Sequence, residues 1–264
     1  MRALAIDLFS GLGGWAEGLL AEGFDVVGFD IERHEYGEQR YPAQLVVQDV
    51  LTLHGSQFRD AALIVASPPC QFFSYTAMPW SRAKKLAAEV RADPARLGKE
   101  LALFNACFRI QREACEAAGR HIPMVVENVC GAIPWVGRSR WNFGSFHLWG
   151  DVPALMPTTR NAKVGGFSWS DYGKPGYVPR AFNGEAGKKV PGFRFDGRGG
   201  SFQTANVEGV KCGGDWFNSD QPSISRLTGS KSPARKAASA MIAKIPFALS
   251  RHIATTFKPA GALG

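Results

Sequence analysis

Apolar residues in the first half of the chain come in short continuous runs, separated by glycine turns and amphipathic stretches. Residues 3–9, Ala-Leu-Ala-Ile-Asp-Leu-Phe, read as a buried strand, with a glycine turn at Gly11, Gly13 and Gly14 behind it. Residues 15–22 read as a short helix stopped by Gly23. Further strands are expected at 25–29, at Leu45-Val46-Val47, at Leu63-Ile64-Val65-Ala66, where Pro68-Pro69 ends the run, and at Pro123-Met124-Val125-Val126. A helix is expected over 33–40. A longer one is expected from 97 to 118, where Leu97, Leu101, Phe104 and Phe108 recur at helical spacing and Gly119 closes the pattern. Strands alternating with helices predict an α/β fold with a doubly wound, mostly parallel sheet. Ligands of such sheets sit at the carboxyl ends of the strands.

The second half has a different texture. Residues 157–230 interleave aromatic side chains such as Trp169, Tyr172, Tyr177, Phe193 and Trp216 with Lys174, Lys188, Lys189, Arg194, Arg198 and Lys211. Periodicity there is poor, so short strands and long loops are expected, which are common carriers of binding function. Residues 234–256 regain an Ala-rich amphipathic pattern, and Pro246 marks the start of a new helix.

Composition adds bounds. The 264 residues are 45% hydrophobic and 20% charged, an ordinary globular balance. No apolar run reaches the roughly 18–20 residues of a bilayer span, and Asp7 falls too early for a signal-peptide core. Five cysteines without a C-x-x-C pair argue against a disulfide scaffold or a structural zinc site, and suggest a reducing, cytoplasmic setting. Cys107, Cys115 and Cys130 are expected in the core. The five histidines show no ligand spacing and read as surface or satisfied residues. Net charge is +8, and it is unevenly spread. Residues 1–130 carry 13 Lys/Arg against 16 Asp/Glu, so the whole basic excess lies beyond them. That asymmetry fits a polyanion partner for the second half, or a solubilising surface.

Three segments carry candidate chemistry. Asp7-Leu8-Phe9-Ser10-Gly11-Leu12-Gly13-Gly14 joins a strand to a helix, where glycines allow close backbone approach of a ligand. It lacks the Lys-Ser/Thr of a phosphate loop. Asp30, about 20 residues on, suits ribose hydroxyls, and Asp49 can accept from an adenine amino group. These features point to a nucleoside cofactor without choosing between nicotinamide and S-adenosylmethionine. Ser67-Pro68-Pro69-Cys70-Gln71-Phe72-Phe73-Ser74 puts a thiol just past a strand end. An ordinary thiol, pKa about 8.5, needs an activating environment to act as nucleophile. In Val125-Val126-Glu127-Asn128-Val129 a carboxylate ends an apolar strand, where desolvation favours the protonated form and a general-acid role.

The order of these segments resembles the DNA cytosine-5 methyltransferase family, in a short, divergent, phage- or prophage-like form, over residues 4–130. The resemblance implies a Rossmann-like S-adenosylmethionine-dependent methyltransferase fold with a small irregular target-recognition region. It implies a cofactor site made by Asp7, Leu8, Phe9, Ser10, Gly11, Gly13, Gly14, Asp30, Ile31, Asp49 and Pro69. Cys70 is then the nucleophile and Glu127 the base-binding acid. Beyond residue 130 the match weakens: Gly137-Arg138-Ser139-Arg140 keeps two arginines of the family's Gln-x-Arg-x-Arg, with Arg140 expected on the cytosine and Arg138 shaping the site. Where the family has Gly-Asn-Ala-Val-Pro, this chain has Ile242-Ala243-Lys244-Ile245-Pro246. Lys244 is therefore expected beside the cofactor, paired with Asp7 or another acid, or favouring a carboxylated cofactor that would transfer carboxymethyl.

The resemblance further implies a catalytic part over 1–150, a target-recognition region over 151–230, and a return to the catalytic part over 231–264. The expected partner is duplex DNA, contacted by Gln71, Ser74, Lys84, Lys85, Lys188, Lys189, Arg194 and Arg198. Residues 75–98 read as a mobile loop that could close over it, or as a solvated helix face. No membrane is expected, a monomer is, and no cognate restriction endonuclease can be named. Cys70 would add to carbon-6 of a flipped-out cytosine, Glu127 would bond ring N3, and carbon-5 would take the methyl group. An RNA cytosine-5 methyltransferase, a silent DNA-binding regulator and, from the glycine turn alone, a nicotinamide oxidoreductase are the alternatives.

Overall fold

A computed structural model describes residues 2–36, 38–74, 80–156, 236, 240–241 and 243–259. The chain divides into two compact units, one of residues 1–142, 146–157 and 247–264, the other of residues 143–145 and 158–246. The aromatic and basic stretch, with Lys188, Lys189, Arg194, Arg198 and Cys212, lies outside the described residues.

The first unit is built on a sheet of β1 (Leu4–Leu8), β2 (Asp25–Asp30), β3 (Gln44–Val47), β4 (Leu63–Ala66), β5 (Met124–Asn128), β6 (Trp141–Phe143) and β7 (Phe146–Gly150). The order is β3-β2-β1-β4-β5-β7-β6. The pairs β1–β2, β1–β4, β2–β3 and β4–β5 are parallel, and β7 runs antiparallel to β5. Sequence order reverses direction between β1 and β4, which makes the crevice past Leu8 and Ala66 the topological switch point. β4 is buried along its whole length, as a parallel strand covered on both faces must be. The α/β, mostly parallel sheet expected from the hydrophobic runs is the fold observed.

Helices α1 (Gly14–Ala21), α2 (Trp80–Ala92), α3 (Pro94–Ala118), α4 (Ile133–Val136) and α5 (Phe247–Phe257) surround it. α3 covers one face: Phe104, Cys107, Ile110 and Ala114 join Ile6, Leu8, Ile64, Ala66, Met124 and Val126 in one core. Asp93 caps α3 by accepting from Ala95 and Arg96 N–H, Pro94 takes the first turn, and Gly119 ends it at φ 63. α1 and α5 pack together so closely that a Cβ on Gly18 would lie 2.3 Å from Ser250 Oγ. Arg251 Nε donates to Glu22 across the same contact at 2.7 Å.

Two expectations are corrected, one pair of alternatives is decided, and one unexpected element appears. No helix covers 33–40; Tyr36 and Gln39 exchange two backbone bonds and fold the loop back in an isolated antiparallel bridge. Of the two readings of 75–98 the described part is the solvated helix face: an Ala/Lys/Arg-rich run without Gly or Pro forms α2, with Val90 buried and Lys84 and Lys85 exposed. The β6–β7 hairpin was not expected; its buried residues Phe146, Leu148 and Trp149 alternate too irregularly to announce a strand. Cys130 is exposed, since β5 ends before it, whereas Cys107 is buried and Cys115 half-buried.

Candidate functional site

The carboxyl ends of β1, β2 and β3 carry the expected cofactor residues. After Leu8 the chain turns sharply through Phe9 (φ 59), Gly11 (φ 50) and Gly13 (φ 78) into the start of α1. A left-handed Phe costs about 1–2 kcal/mol, which the surrounding bonds must offset. Ser10 N–H donates to Phe29 O at 3.1 Å and Gly11 N–H to Asp30 Oδ2 at 2.9 Å, so the turn is stitched to the end of β2. A Cβ on Gly13 would lie 2.3 Å from Pro42 Cδ, and one on Gly28 2.4 Å from Tyr41 Cζ; both glycines exist to admit the Tyr41-Pro42 segment.

That segment meets Asp7. The Tyr41 hydroxyl donates to Asp7 Oδ2 at 3.1 Å. Burial pushes the Asp7 carboxyl well above the usual range; the Tyr41 bond works against this, and the charge of Asp30 adds to it. Asp7 Oδ1 and Ser10 Oγ are buried without hydrogen-bond partners.

Asp30 behaves otherwise. Burial alone would raise its pKa, but bonds from His34, Gly11 N–H and Glu32 N–H outweigh it, and the carboxyl stays below its usual value. On the next strand end, Asp49 Oδ1 accepts from Leu51 N–H at 2.9 Å and caps the short turn Val50–Thr52. Beside these acids the apolar side chains Ile31 (69%), Val47 (52%) and Leu51 (45%) are exposed. Two ionisable acids, two buried polar atoms without partners and an apolar rim fit the hydroxyls, amino groups and flat ring of a nucleoside cofactor.

A clamp that the sequence did not reveal holds this region from α3. Arg109 donates to Leu53 O at 2.8 Å and to Leu51 O at 3.3 Å, and Glu113 Oε2 accepts from Gly55 N–H at 2.6 Å. Only the Arg-x-x-x-Glu spacing on one helix face could have hinted at it. Lys244 belongs to the second unit, half-buried, with its N–H donated to Met241 O at 3.4 Å; a pairing with Asp7 stays an expectation.

The carboxyl ends of β4 and β5 carry the candidate chemistry. Ser67 N–H donates to Leu8 O at 3.1 Å, and Trp15 Nε1 donates to Ser67 Oγ at 2.9 Å. Pro68 is buried, Pro69 and Gln71 are exposed, and Cys70 and Ser74 are half-buried in a turn closed by Ser74 N–H to Cys70 O at 2.9 Å. Glu127, one residue before the end of β5, is 3% exposed. Asn128 Nδ2 donates to Pro68 O at 2.9 Å, tying the cysteine turn to the strand that bears Glu127. Phe73 anchors the turn in the core against Phe104, and Phe72 packs on Trp135, whose ring carries the Arg91 guanidinium at 4.8 Å.

Arg138 and Arg140 are exposed on a segment laid along β7. Trp149 Nε1 donates to Gly137 O at 3.0 Å, Ser139 Oγ lies 2.9 Å from His147 Nδ1, and Arg140 N–H donates to Leu148 O at 2.8 Å. Leu148 is the register partner of Glu127, so the arginine segment runs one strand beyond the acid. Cys70, Glu127 and the arginines thus share one sheet edge with Asp7, Asp30 and Asp49. Among the described residues, no group of three or more His, Cys, Asp or Glu side chains could hold a metal ion, and no helix is long and apolar enough to cross a membrane.

Residues 4–85 match the C-5 cytosine-specific DNA methylase family. The matched stretch contains the glycine turn, Asp30, Asp49 and the Cys70 turn, and the resemblance read from those motifs is borne out there. Among solved structures, one similar chain is described as a DNA modification methyltransferase encoded within an E. coli prophage, at 25% identity and a TM-score of 0.33 over 50% of this chain and 33% of that one. Another is the S. pombe Dnmt2 methyltransferase, at 18% identity and a TM-score of 0.31 over 50% and 36%. A third is the Entamoeba histolytica methyltransferase EhMeth, at 20% identity and a TM-score of 0.30 over 52% and 41%. The matches thus take in well under two-thirds of those proteins' own length. No curated protein matches the chain.

Proposed function

We propose that the chain transfers a methyl group from S-adenosylmethionine to carbon-5 of a cytosine flipped out of duplex DNA. The observation that carries this reading is the Asn128–Pro68 bond at 2.9 Å, which couples the Cys70 turn to the strand end bearing Glu127. The family match over residues 4–85 supports it from the other side.

Bound at Asp7–Gly14, Asp30, Ile31 and Asp49, the cofactor supplies an electrophilic methyl group on a sulfonium. Cytosine carbon-5 is a poor nucleophile, and Cys70 remedies this by adding its thiolate to carbon-6. The C5–C6 electrons move into the ring, and Glu127 at N3 stabilises the charge that develops there, help worth roughly 10²–10⁴-fold. Carbon-5 would take the methyl and leave S-adenosylhomocysteine; a solvent base would then take the carbon-5 proton, and the returning electron pair would expel Cys70 as thiolate. Arg140 would contact the base and Arg138 would shape its site. Inside a duplex the thiol cannot reach carbon-6, so the base must leave the stack. Gln71, Ser74, Lys84, Lys85 and the basic stretch beyond residue 157 are the DNA contacts in this reading. The division into 1–150, 151–230 and 231–264 belongs to the same proposal.

A trapping assay tests it. The chain is incubated with S-adenosylmethionine and duplex DNA carrying 5-fluorocytosine, beside Cys70→Ala. Fluorine cannot leave as a cation, so a cofactor-dependent adduct with wild type alone should persist through a denaturing gel. An adduct with RNA and none with DNA would move the substrate to RNA, and no adduct with either would overturn the mechanism.

A further inference from the structure

The Asp30 carboxylate has three partners. Gly11 N–H donates to Oδ2 at 2.9 Å, Glu32 N–H donates to Oδ1 at 3.3 Å, and His34 Nε2 lies 3.4 Å from Oδ1. The loop after β2 makes the third contact possible. Tyr36 and Gln39 exchange two backbone bonds at 2.9 and 3.1 Å, which folds the loop back, and the Tyr36 hydroxyl lies 3.4 Å from His34 Nδ1. The imidazole is set on Asp30 from its own loop, with its side chain 19% exposed.

A carboxylate offers about four lone-pair positions. A ribose diol binds one by donating a hydrogen bond to each oxygen. Oδ2 accepts from Gly11 N–H. Oδ1 is shared by the Glu32 N–H, which is backbone, and by His34, the one partner of the three that can swing away. We infer that His34 is a positioning residue that holds Asp30 Oδ1 and yields it to a ribose hydroxyl when a nucleoside cofactor binds, so that cofactor affinity follows the charge on His34. This rests on the cofactor reading above and adds the residue that regulates it.

The sign follows from the competition. A charge-assisted bond from imidazolium to carboxylate is roughly twice as strong as a neutral one, so protonation strengthens the competitor. Affinity therefore falls as pH drops through the window, about 5 to 8, in which histidines charge. Asp30 and Glu32 are charged groups that face His34, with Glu32 Oε1 3.8 Å from Nδ1. Arg33 lies 3.9 Å from Glu35, and both side chains are exposed. From β1, Asp7 senses Asp30 and is the second group able to impose a pH dependence on the site.

The test is the affinity of the whole chain for S-adenosylhomocysteine, which has no group titrating in this window, by calorimetry between pH 5.5 and 8.0. Wild type should bind about tenfold tighter at the upper end. In His34→Gln, which keeps a donor and cannot charge, the change should fall below about twofold. At pH 6, two buffers of different ionisation enthalpy should report a proton released on binding to wild type and none on binding to His34→Gln. A slope that persists in His34→Gln and disappears in Asp7→Asn assigns the dependence to Asp7 and overturns the inference. So does a flat wild-type profile. No binding at any pH in any variant overturns the cofactor reading itself, and the inference with it.

Discussion

The two banks of the sheet's switch point hold their side chains differently. On the β1–β2–β3 bank the acids are occupied by their own surroundings: Asp30 by Gly11, Glu32 and His34, Asp49 by Leu51, Asp7 by Tyr41. A ligand that takes Asp30 Oδ1 must displace His34, so binding at that atom is a competition. On the β4–β5 bank the long-range bonds go to the scaffold. Trp15 holds the Ser67 side chain and Asn128 holds the Pro68 carbonyl, both just before the cysteine turn, and Cys70 itself is left half-buried. One bank suits reversible binding; the other suits a reacting atom held in place, where displacement of about 1 Å can cost 10²-fold in rate.

The comparison breaks first at Cys70. Cys70→Ala should lower methyl transfer by about 10³-fold or more while leaving S-adenosylhomocysteine affinity unchanged within about twofold. Radiolabelled methyl transfer and calorimetry on the same preparation check this; parallel loss of both would mean that the banks are not separable. Next comes Asn128→Ala. It leaves Pro68 O and Val129 N–H without their bonds, which should cost about 1–3 kcal/mol in urea unfolding. Turnover should fall about 10–100-fold with cofactor affinity intact, and an unchanged turnover would sink the role given to this bond.

Asp7→Asn sharpens the binding bank. The folded chain holds the Asp7 pKa above its unfolded value of about 3.9. Its contribution to stability is therefore complete below that value and is lost as pH rises through the folded pKa. Asn cannot ionise, so the variant's thermal midpoint should vary less between pH 4 and pH 7.5 than that of wild type. Equal pH slopes in the two proteins would show that Asp7 ionises as readily folded as unfolded. The smallest effect is expected from Lys84→Ala with Lys85→Ala, both on the exposed face of α2. Duplex affinity should drop only a few-fold at low salt, and the slope of log affinity against log salt should flatten by about 1–2; an unchanged slope removes α2 from the DNA surface.

Much of this was legible in the residues themselves. The buried runs of β1, β4 and β5 announce a parallel sheet because strands covered on both faces have no polar side to show. The glycine turn and the Pro-Pro-Cys segment are read locally, since φ restrictions act on neighbouring residues. Helix 33–40 was misread because periodicity carries no information about the Tyr36–Gln39 bridge, whose two backbone bonds fold the loop back. For α2 the charges left a mobile loop and a solvated helix face both open, and the helix is what forms.

The sequence by itself therefore determined the order of elements and which strand ends carry an acid or a thiol, because those follow from short-range sterics and from the cost of exposing apolar surface. Only the tertiary structure decided that His34 sits on Asp30, that Asn128 reaches Pro68, that Arg109 and Glu113 clamp the turn after Asp49, and that Cys130 is exposed. The reach of a side chain across a gap depends on how sheet and helices pack, and no local pattern encodes that distance.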